Sequence, residues 1–85
     1  MVKLADQIRN HAAMHYIQPA RSKGDTHICI CAKDVHRQMK LSHRERAVCG
    51  ALRAIKFQKT QRLKRITEVG PPNGANTVFI FEILN

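Results

Sequence analysis

The fold of this chain is decided by residues 32–57, which read AKDVHRQMKLSHRERAVCGALRAIKF. Near the start of this stretch, Val35 and Met39 are four residues apart, the spacing that places two side chains on one face of a helix. We therefore predict a short helix over 32–40, with both side chains facing the protein interior.

A second helix is predicted directly after an interruption at Lys40-Leu41-Ser42. Ser42 is followed three residues later by Glu45, the pattern of a capping box, in which each side chain accepts a hydrogen bond from the other residue's backbone N–H. The helix that begins there is expected to cover 43–57. Its predicted buried stripe consists of Val48, Leu52 and Ile55.

The residues before this pair of helices predict one more helix and a short strand. Residues 2–18 carry apolar side chains at helical spacing, and Pro19 is expected to end that helix, because the residue before a proline disfavours the helical conformation. Residues 27–31, HICIC, are rich in strand-forming residues, and we predict a strand there.

The residues after the pair of helices predict a β-hairpin. Residues 62–69 resemble a strand with imperfect alternation, which indicates either a bulge or a later start of the strand. Residues 77–84, TVFIFEIL, are the strongest strand pattern in the chain. Between them, residues 70–74 combine glycine, proline and asparagine, the composition of a tight turn.

This order of elements resembles a winged helix-turn-helix domain. The resemblance covers nearly the whole chain and predicts one α+β domain over residues 1–85, with a small three-stranded antiparallel sheet and a two-stranded wing. Lys40 stands where such motifs often have glycine or another small residue. The resemblance implies that the second helix of the pair enters the major groove of DNA and that the wing lies along the backbone or the minor groove. The residues that would form the core of the motif are Val35, Met39, Leu41, Val48, Leu52 and Ile55.

The charge of the chain is concentrated in one segment. The chain carries a net charge of +9 at pH 7, and residues 33–65, hereafter the basic segment, contain eleven basic and two acidic side chains, so that they hold all of it. Such a block is typical of a surface that binds nucleic acid, although a solvated surface that favours solubility would have the same composition.

The predicted fold divides the basic segment into two sets of DNA contacts. Side chains opposite the buried stripe of helix 43–57 would face base edges, and the other bases would neutralise phosphates. A glycine inside a helix is unfavourable, so Gly50 indicates either close packing against helix 32–40 or close approach to DNA. The predicted base-reading residues are His43, Arg46, Ala47, Gly50 and Arg53. The predicted phosphate-binding residues are Arg37, Lys40, Arg44, Lys59, Arg62, Lys64 and Arg65.

The expected partner is double-stranded DNA, bound by a small transcriptional regulator or a DNA-associated accessory factor. An alternative is a protein-interaction module within a larger complex, which would meet an acidic partner through the basic segment or form a homodimer through helix 2–18. RNA is a third possibility that the composition disfavours, because four aromatic residues offer little surface on which unpaired bases could stack.

The sequence predicts neither an enzyme nor a cofactor. It contains no nucleophile-and-base spacing, no carboxylate pair and no phosphate-binding glycine loop. His27, Cys29 and Cys31 are possible zinc ligands, with His36 or Cys49 as a fourth, but the spacing is unusual for zinc and favours buried thiols in a core strand. His11 and His15 are a second possible pair of ligands, although polar residues on one helix face often have this spacing.

The expected location is the cytoplasm, or the nucleoid if the source is a prokaryote. No apolar run reaches the length of a membrane span, and the first residues lack the apolar stretch of a signal peptide. Cys29 and Cys31 are too close along a strand to pair easily with each other, which favours reduced thiols.

Overall fold

The structure is a computed structural model that describes residues 3–70 and 76–84, and in these residues the chain is α+β: helices pack on a three-stranded antiparallel sheet. The first helix, α1, is continuous but changes its hydrogen-bonding pattern twice along its length. The elements in chain order are α1 (Leu4–Ala12, Ala13–Ile17 and Gln18–Ser22), β1 (His27–Cys31), α2 (Ala32–Gln38), α3 (Glu45–Arg53), α4 (Ile55–Gln61), β2 (Leu63–Val69) and β3 (Val78–Ile83).

Helix α1 continues past Pro19, so the prediction that this proline ends the helix is wrong. The middle segment, Ala13–Ile17, is a π-helix, and the segment that follows it, Gln18–Ser22, returns to α-helical geometry. Proline is tolerated in the first turn of a helix, where its missing N–H is not needed for a helical hydrogen bond. A π-helical segment changes which carbonyl each N–H bonds, so a new hydrogen-bonding pattern begins after it. Pro19 lies in the first turn of the last segment, where this condition is met.

Helix α2 ends in a Schellman motif formed by the residues of the predicted interruption. The Leu41 N–H donates to the His36 carbonyl at 3.0 Å, and the Lys40 N–H donates to the Arg37 carbonyl at 3.0 Å. Lys40 has a φ of 56°, the left-handed conformation that this motif requires and that glycine adopts most easily. The predicted stop of this helix is confirmed, and it occurs at a lysine.

The predicted capping box does not form at the start of α3. Helix α3 begins at Glu45 after Arg44, and no side chain of the flanking residue caps it. The Arg44 backbone N–H donates to His36 Nε2 at 3.1 Å, so a side chain of α2 holds the residue that precedes the helix. His43 has a φ of 54°, which turns the chain away from the geometry that the capping box needs.

The predicted helix over 43–57 is divided in two at Ala54. Ala54 has an extended backbone, with ψ at 138°, and a separate helix, α4, follows it. Because of this change in direction, Ile55 is 66% exposed and Phe57 is fully buried, which contradicts the prediction that Ile55 completes the buried stripe. The break places the larger aromatic side chain in the core, where its ring meets the Phe81 ring edge-on at 5.7 Å between centroids.

The three strands form a sheet in the order β1-β3-β2, with both neighbouring pairs antiparallel. The register between β2 and β3 shifts between Arg65 and Thr67, which confirms the predicted bulge. Gly70, at the end of β2, has a φ of 105°, and a Cβ there would lie 3.0 Å from the Asn76 carbonyl oxygen. Most of the predicted turn over 70–74 lies outside the described residues.

The core lies between the inner face of the sheet and the helices. Within it, Val35, Val48 and Leu52 are buried as predicted, and Met39 and Leu41 pack partly buried against them. Strand β1 covers the residues predicted for it, but it turns Ile30 into the core and leaves Cys29 exposed, so the prediction of buried thiols on this strand is wrong. The fully buried large side chains also include Ile8, Ile17, Phe57, Phe79 and Phe81.

In the part of the chain that the structure describes, the helices are too short or too polar to cross a membrane.

Candidate nucleic-acid interface

Helix α3 presents an open surface beside the turn that joins it to α2. Arg46 and Gly50 are exposed and are four residues apart, so they lie on the same face of the helix. His43 is exposed just before the helix begins. Ala47 is partly buried and packs against the core, so it lies at the edge of this surface. The structure thus leaves His43, Arg46 and Gly50 accessible, with Arg46 and Gly50 on one face of α3.

The surroundings of Gly50 exclude close helix packing as the reason for a glycine at this position. A Cβ added at this glycine would meet nothing within 4 Å, so α2 does not need a glycine there for close packing. Its backbone is helical, and glycine in such a position is less favourable than alanine by about 1 kcal/mol. The fold of the described residues therefore gives no reason for a glycine at this position.

Arg53, the fifth predicted base-reading residue, is held by an acidic residue of β2. Its Nε donates to Glu68 Oε1 at 2.9 Å and its Nη2 donates to Glu68 Oε2 at 2.7 Å. The guanidinium also lies over the Phe79 ring, 5.8 Å from its centroid. The hydrogen bond from Arg53 lowers the pKa of Glu68, and the same bond raises the pKa of Arg53. These contacts direct Arg53 toward the sheet and away from open solvent.

Three of the predicted phosphate-binding residues lie around the turn between α2 and α3. Lys40 and Arg44 are exposed on either side of the turn. Arg37, on α2, is largely exposed and makes an ion pair with Asp34 at 3.1 Å, one helical turn away. An ion pair as exposed as this one contributes little to stability. The Arg37 guanidinium can therefore leave Asp34 and bind a phosphate with little loss of free energy.

The other four predicted phosphate-binding residues lie in two places. Lys64 and Arg65 are exposed on β2, the first strand of the hairpin. Lys59 and Arg62 instead line a groove of about 540 Å³ between α4 and the ends of β2 and β3. Two of the predicted phosphate-binding residues therefore border an apolar groove.

Sequence reasoning missed two residues that organise this region. Glu68 was not singled out, although it is an acidic residue in a basic chain at the position where β2 faces α3. Arg21 was not singled out either, yet its Nη2 donates to the carbonyl of Gln61 at 2.8 Å and lies within hydrogen-bonding distance of two more carbonyls, those of Arg62 and Leu84. Both contacts join residues far apart in the sequence, so no local pattern indicates them.

The cysteines and histidines do not form a metal site in residues 3–70 and 76–84, where no group of three or more possible ligands comes together. His11 and His15 stack with 4.3 Å between ring centroids, and His11 Nε2 donates to Gln38 Oε1 at 2.7 Å. Cys49 is fully buried. Burial raises the pKa of its thiol, and a hydrogen bond with Thr77 offsets this only in part, so Cys49 is suited to packing.

Comparison with known proteins gives no family for this chain. No family model matches it, and no curated protein and no solved structure matches it significantly.

Proposed function

We propose that this chain is a winged helix-turn-helix domain that binds double-stranded DNA, in a small transcriptional regulator or a DNA-associated accessory factor. In this proposal α2 and α3 are the helix-turn-helix pair, and β2 and β3 are the wing. Helix α3 enters the major groove with Arg46 and His43 facing base edges. The element order and the antiparallel sheet are compatible with this arrangement.

The observation that carries the proposal is the glycine on the open face of α3. Gly50 is not required by packing, and it lies on the same face as Arg46, within the segment that holds the net charge. A glycine lets another molecule approach the helix backbone closely, and an arginine one turn away can bond two acceptors of a guanine. A helix face built in this way suits a surface that approaches DNA.

The remaining bases of the interface would hold phosphates and set the orientation of the domain. Arg37, Lys40 and Arg44 lie near the start of α3, and Lys64 and Arg65 lie on the first strand of the wing. Phosphate contacts position a protein on DNA without selecting a sequence. In this proposal Arg53 acts as a positioning residue, since its pairing with Glu68 ties α3 to the wing.

Fluorescence anisotropy with a labelled DNA duplex tests the proposal. Affinity should fall steeply between about 50 and 200 mM salt, because each neutralised phosphate releases a bound cation. Arg46→Gln should weaken binding to a preferred site by about 1–3 kcal/mol and relax the sequence preference there, as expected of a residue that contacts base edges. The matched control is Lys23→Gln, which removes one charge from an exposed lysine outside the basic segment and should leave binding nearly unchanged.

Three results would contradict the proposal. They are the absence of binding at low salt, an affinity that does not depend on salt, and equal effects of the Arg46 and Lys23 variants. Tighter binding to a single-stranded RNA than to the duplex would assign the surface to RNA instead. If the duplex binds, selection of oligonucleotides from a random pool identifies the preferred site, and a palindromic site indicates a dimer.

A further inference from the structure

The groove beside α4 combines features that DNA binding does not use. Its walls include Ile55, which is 66% exposed, and Leu84, which is 39% exposed, and its floor includes the buried Leu63. Single exposed apolar side chains are common on protein surfaces. Two that face the same groove form an apolar patch, whose contact with water is unfavourable in free energy. Phosphates and sugars offer little apolar surface to such side chains.

The polar part of the groove is entirely basic or neutral. Lys59 and Arg62 line it together with Gln58, and no acidic side chain is among its described lining residues. Gln58 is already occupied, since its Oε1 accepts a hydrogen bond from the Arg65 backbone N–H at 3.1 Å. Within residues 3–70 and 76–84, no carboxylate lies close enough to Lys59 or Arg62 to form an ion pair. Two cations are thus available beside an apolar surface.

The walls of the groove are tied together before anything binds. The Leu84 backbone N–H donates to the Arg62 carbonyl at 2.9 Å. Arg21 Nη2 lies 2.8 Å from the Gln61 carbonyl oxygen, 3.4 Å from that of Arg62 and 3.3 Å from that of Leu84, so one guanidinium links the end of α4 to the end of the sheet. A surface held in this way loses little conformational freedom on binding, which favours affinity.

The shape of the groove favours a polypeptide over a small molecule. Sites for small molecules usually enclose most of the ligand surface, and Ile55 and Leu84 are too exposed for walls of an enclosed site. A peptide segment can cover both side chains and also extend to the two cations.

We propose that this groove is a docking site for a segment of a partner protein in which apolar side chains are flanked by aspartate or glutamate. The apolar side chains cover Ile55, Leu63 and Leu84, and the carboxylates pair with Lys59 and Arg62. The occupant follows from charge complementarity, because the groove offers cations and apolar surface and no anion. None of the groove's described lining residues is a proposed DNA contact, so the domain would join a DNA site to an acidic protein.

Selection from a displayed library of random peptides of about 16 residues tests the proposal. The variants to compare are Ile55→Ser with Leu84→Ser, and Met14→Ser as a matched control, since Met14 is 62% exposed on α1. All these variants keep every basic residue, so nonspecific attraction of acidic peptides remains equal. The wild type and the Met14 variant should enrich peptides that combine apolar residues with aspartate or glutamate. The double variant should not enrich them, and it should bind a selected peptide at least about tenfold more weakly.

The outcome of the peptide experiment does not depend on whether the domain binds DNA. In a duplex titration, the double variant should behave as the wild type does, whether the wild type binds the duplex or not. Circular dichroism verifies that the variants stay folded. Peptides without acidic residues, no enrichment above the double variant, or equal binding by both proteins would overturn the proposal. Self-association that depends on Ile55 and Leu84, seen by light scattering, would overturn it in favour of a second copy of this chain.

Discussion

Arg53 and Glu68 join α3 to β2 through two parallel hydrogen bonds of 2.9 and 2.7 Å. The two side chains are only 33% and 21% exposed, so solvent screens their attraction less than it screens an open ion pair. The paired geometry fixes the orientation of the guanidinium plane as well as its position. A helix that would approach DNA is thereby held at a set angle to the strand that carries Lys64 and Arg65.

Replacing Glu68 by glutamine should destabilise the protein by about 1 kcal/mol, because the amide keeps one acceptor oxygen but places an NH2 donor opposite the second Arg53 N–H. Asp25→Asn is the control, since Asp25 pairs with Lys23 at 3.5 Å on an exposed part of the chain and should change stability little. Urea unfolding at pH 7 measures both effects. Equal stability of the wild type and the Glu68 variant would mean that this pair does not hold the two elements together.

The same pair predicts how stability depends on pH. Arg53 lowers the pKa of Glu68 in the folded protein, so the stabilisation is fully present above the ordinary glutamate pKa of about 4.3. It is lost as the pH falls through the lowered pKa. The difference in unfolding free energy between the wild type and Glu68→Gln should therefore shrink on acidification. If the difference in unfolding free energy stays constant down to about pH 2, it arises from some other effect of the substitution and not from the ionised Glu68 carboxylate.

Lys40→Gly should stabilise the protein by up to about 1 kcal/mol. Lys40 occupies the left-handed position of the Schellman motif with a φ of 56°, where a side chain is strained and glycine is not. Part of the gain is offset, because glycine has more freedom in the unfolded chain. Thermal unfolding compares this variant with Lys40→Ala, which removes the same charge and keeps the strain, and which should not be stabilised.

Gly50→Ala should raise stability and lower DNA affinity. The added methyl group meets no other atom within 4 Å and improves the helix propensity of α3 by about 1 kcal/mol. If α3 approaches DNA as proposed, the same methyl group interferes with that approach, so duplex affinity should decrease. Thermal unfolding and anisotropy on the same sample separate the two effects. Higher stability with unchanged DNA affinity would show that Gly50 does not lie at the DNA interface.

Ile55 and Phe57 should respond very differently to truncation. Phe57→Ala removes a fully buried ring that contacts Phe81 and should cost about 3–5 kcal/mol. Ile55→Ala changes a mostly exposed side chain and should alter stability by less than about 0.5 kcal/mol. Equilibrium unfolding of the two variants tests the break at Ala54, because a single continuous helix would have made Ile55→Ala the costly change.

The thiols should react at different rates with a thiol-specific disulfide reagent. Cys29 is exposed and should react rapidly in the native protein, whereas Cys49 is fully buried and its pKa is raised by that burial. Cys49 should react only as the protein unfolds, at a rate that increases with urea. Cys29→Ser identifies the rapid phase. Rapid native reaction of Cys49, located by mass spectrometry, would contradict its position in the core.

Local features of the sequence predicted most of the secondary structure. Strand β1 has the predicted bounds, and the bulge in β2 occurs where alternation fails. Both depend on interactions between neighbouring residues, which the sequence displays directly. The passage of α1 through Pro19 and the break of the helix at Ala54 were not predicted, because the first follows a π-helical segment that no pattern indicated and the second places Phe57 beside the distant Phe81. No glycine or proline marks the second break.

Some features of the candidate site could likewise be predicted from the sequence, and others could not. Its location within the basic segment and the presence of Arg46 and Gly50 on one helix face follow from charge counting and helical spacing. The pairing of Arg53 with Glu68 does not follow from them, because the two residues are fifteen positions apart in the sequence and meet only when β2 folds against α3.

The sequence by itself determined the order of the elements, the position of the positive charge and the apolar spacing of α2 and α3. These properties belong to individual residues and to their near neighbours along the chain. Only the tertiary structure decided which bases are free: Arg46 is exposed on α3, Arg53 is bound to Glu68, and Lys59 and Arg62 line an apolar groove. The physical reason is that a charge is carried by one residue, whereas its availability depends on which distant side chains fold against it.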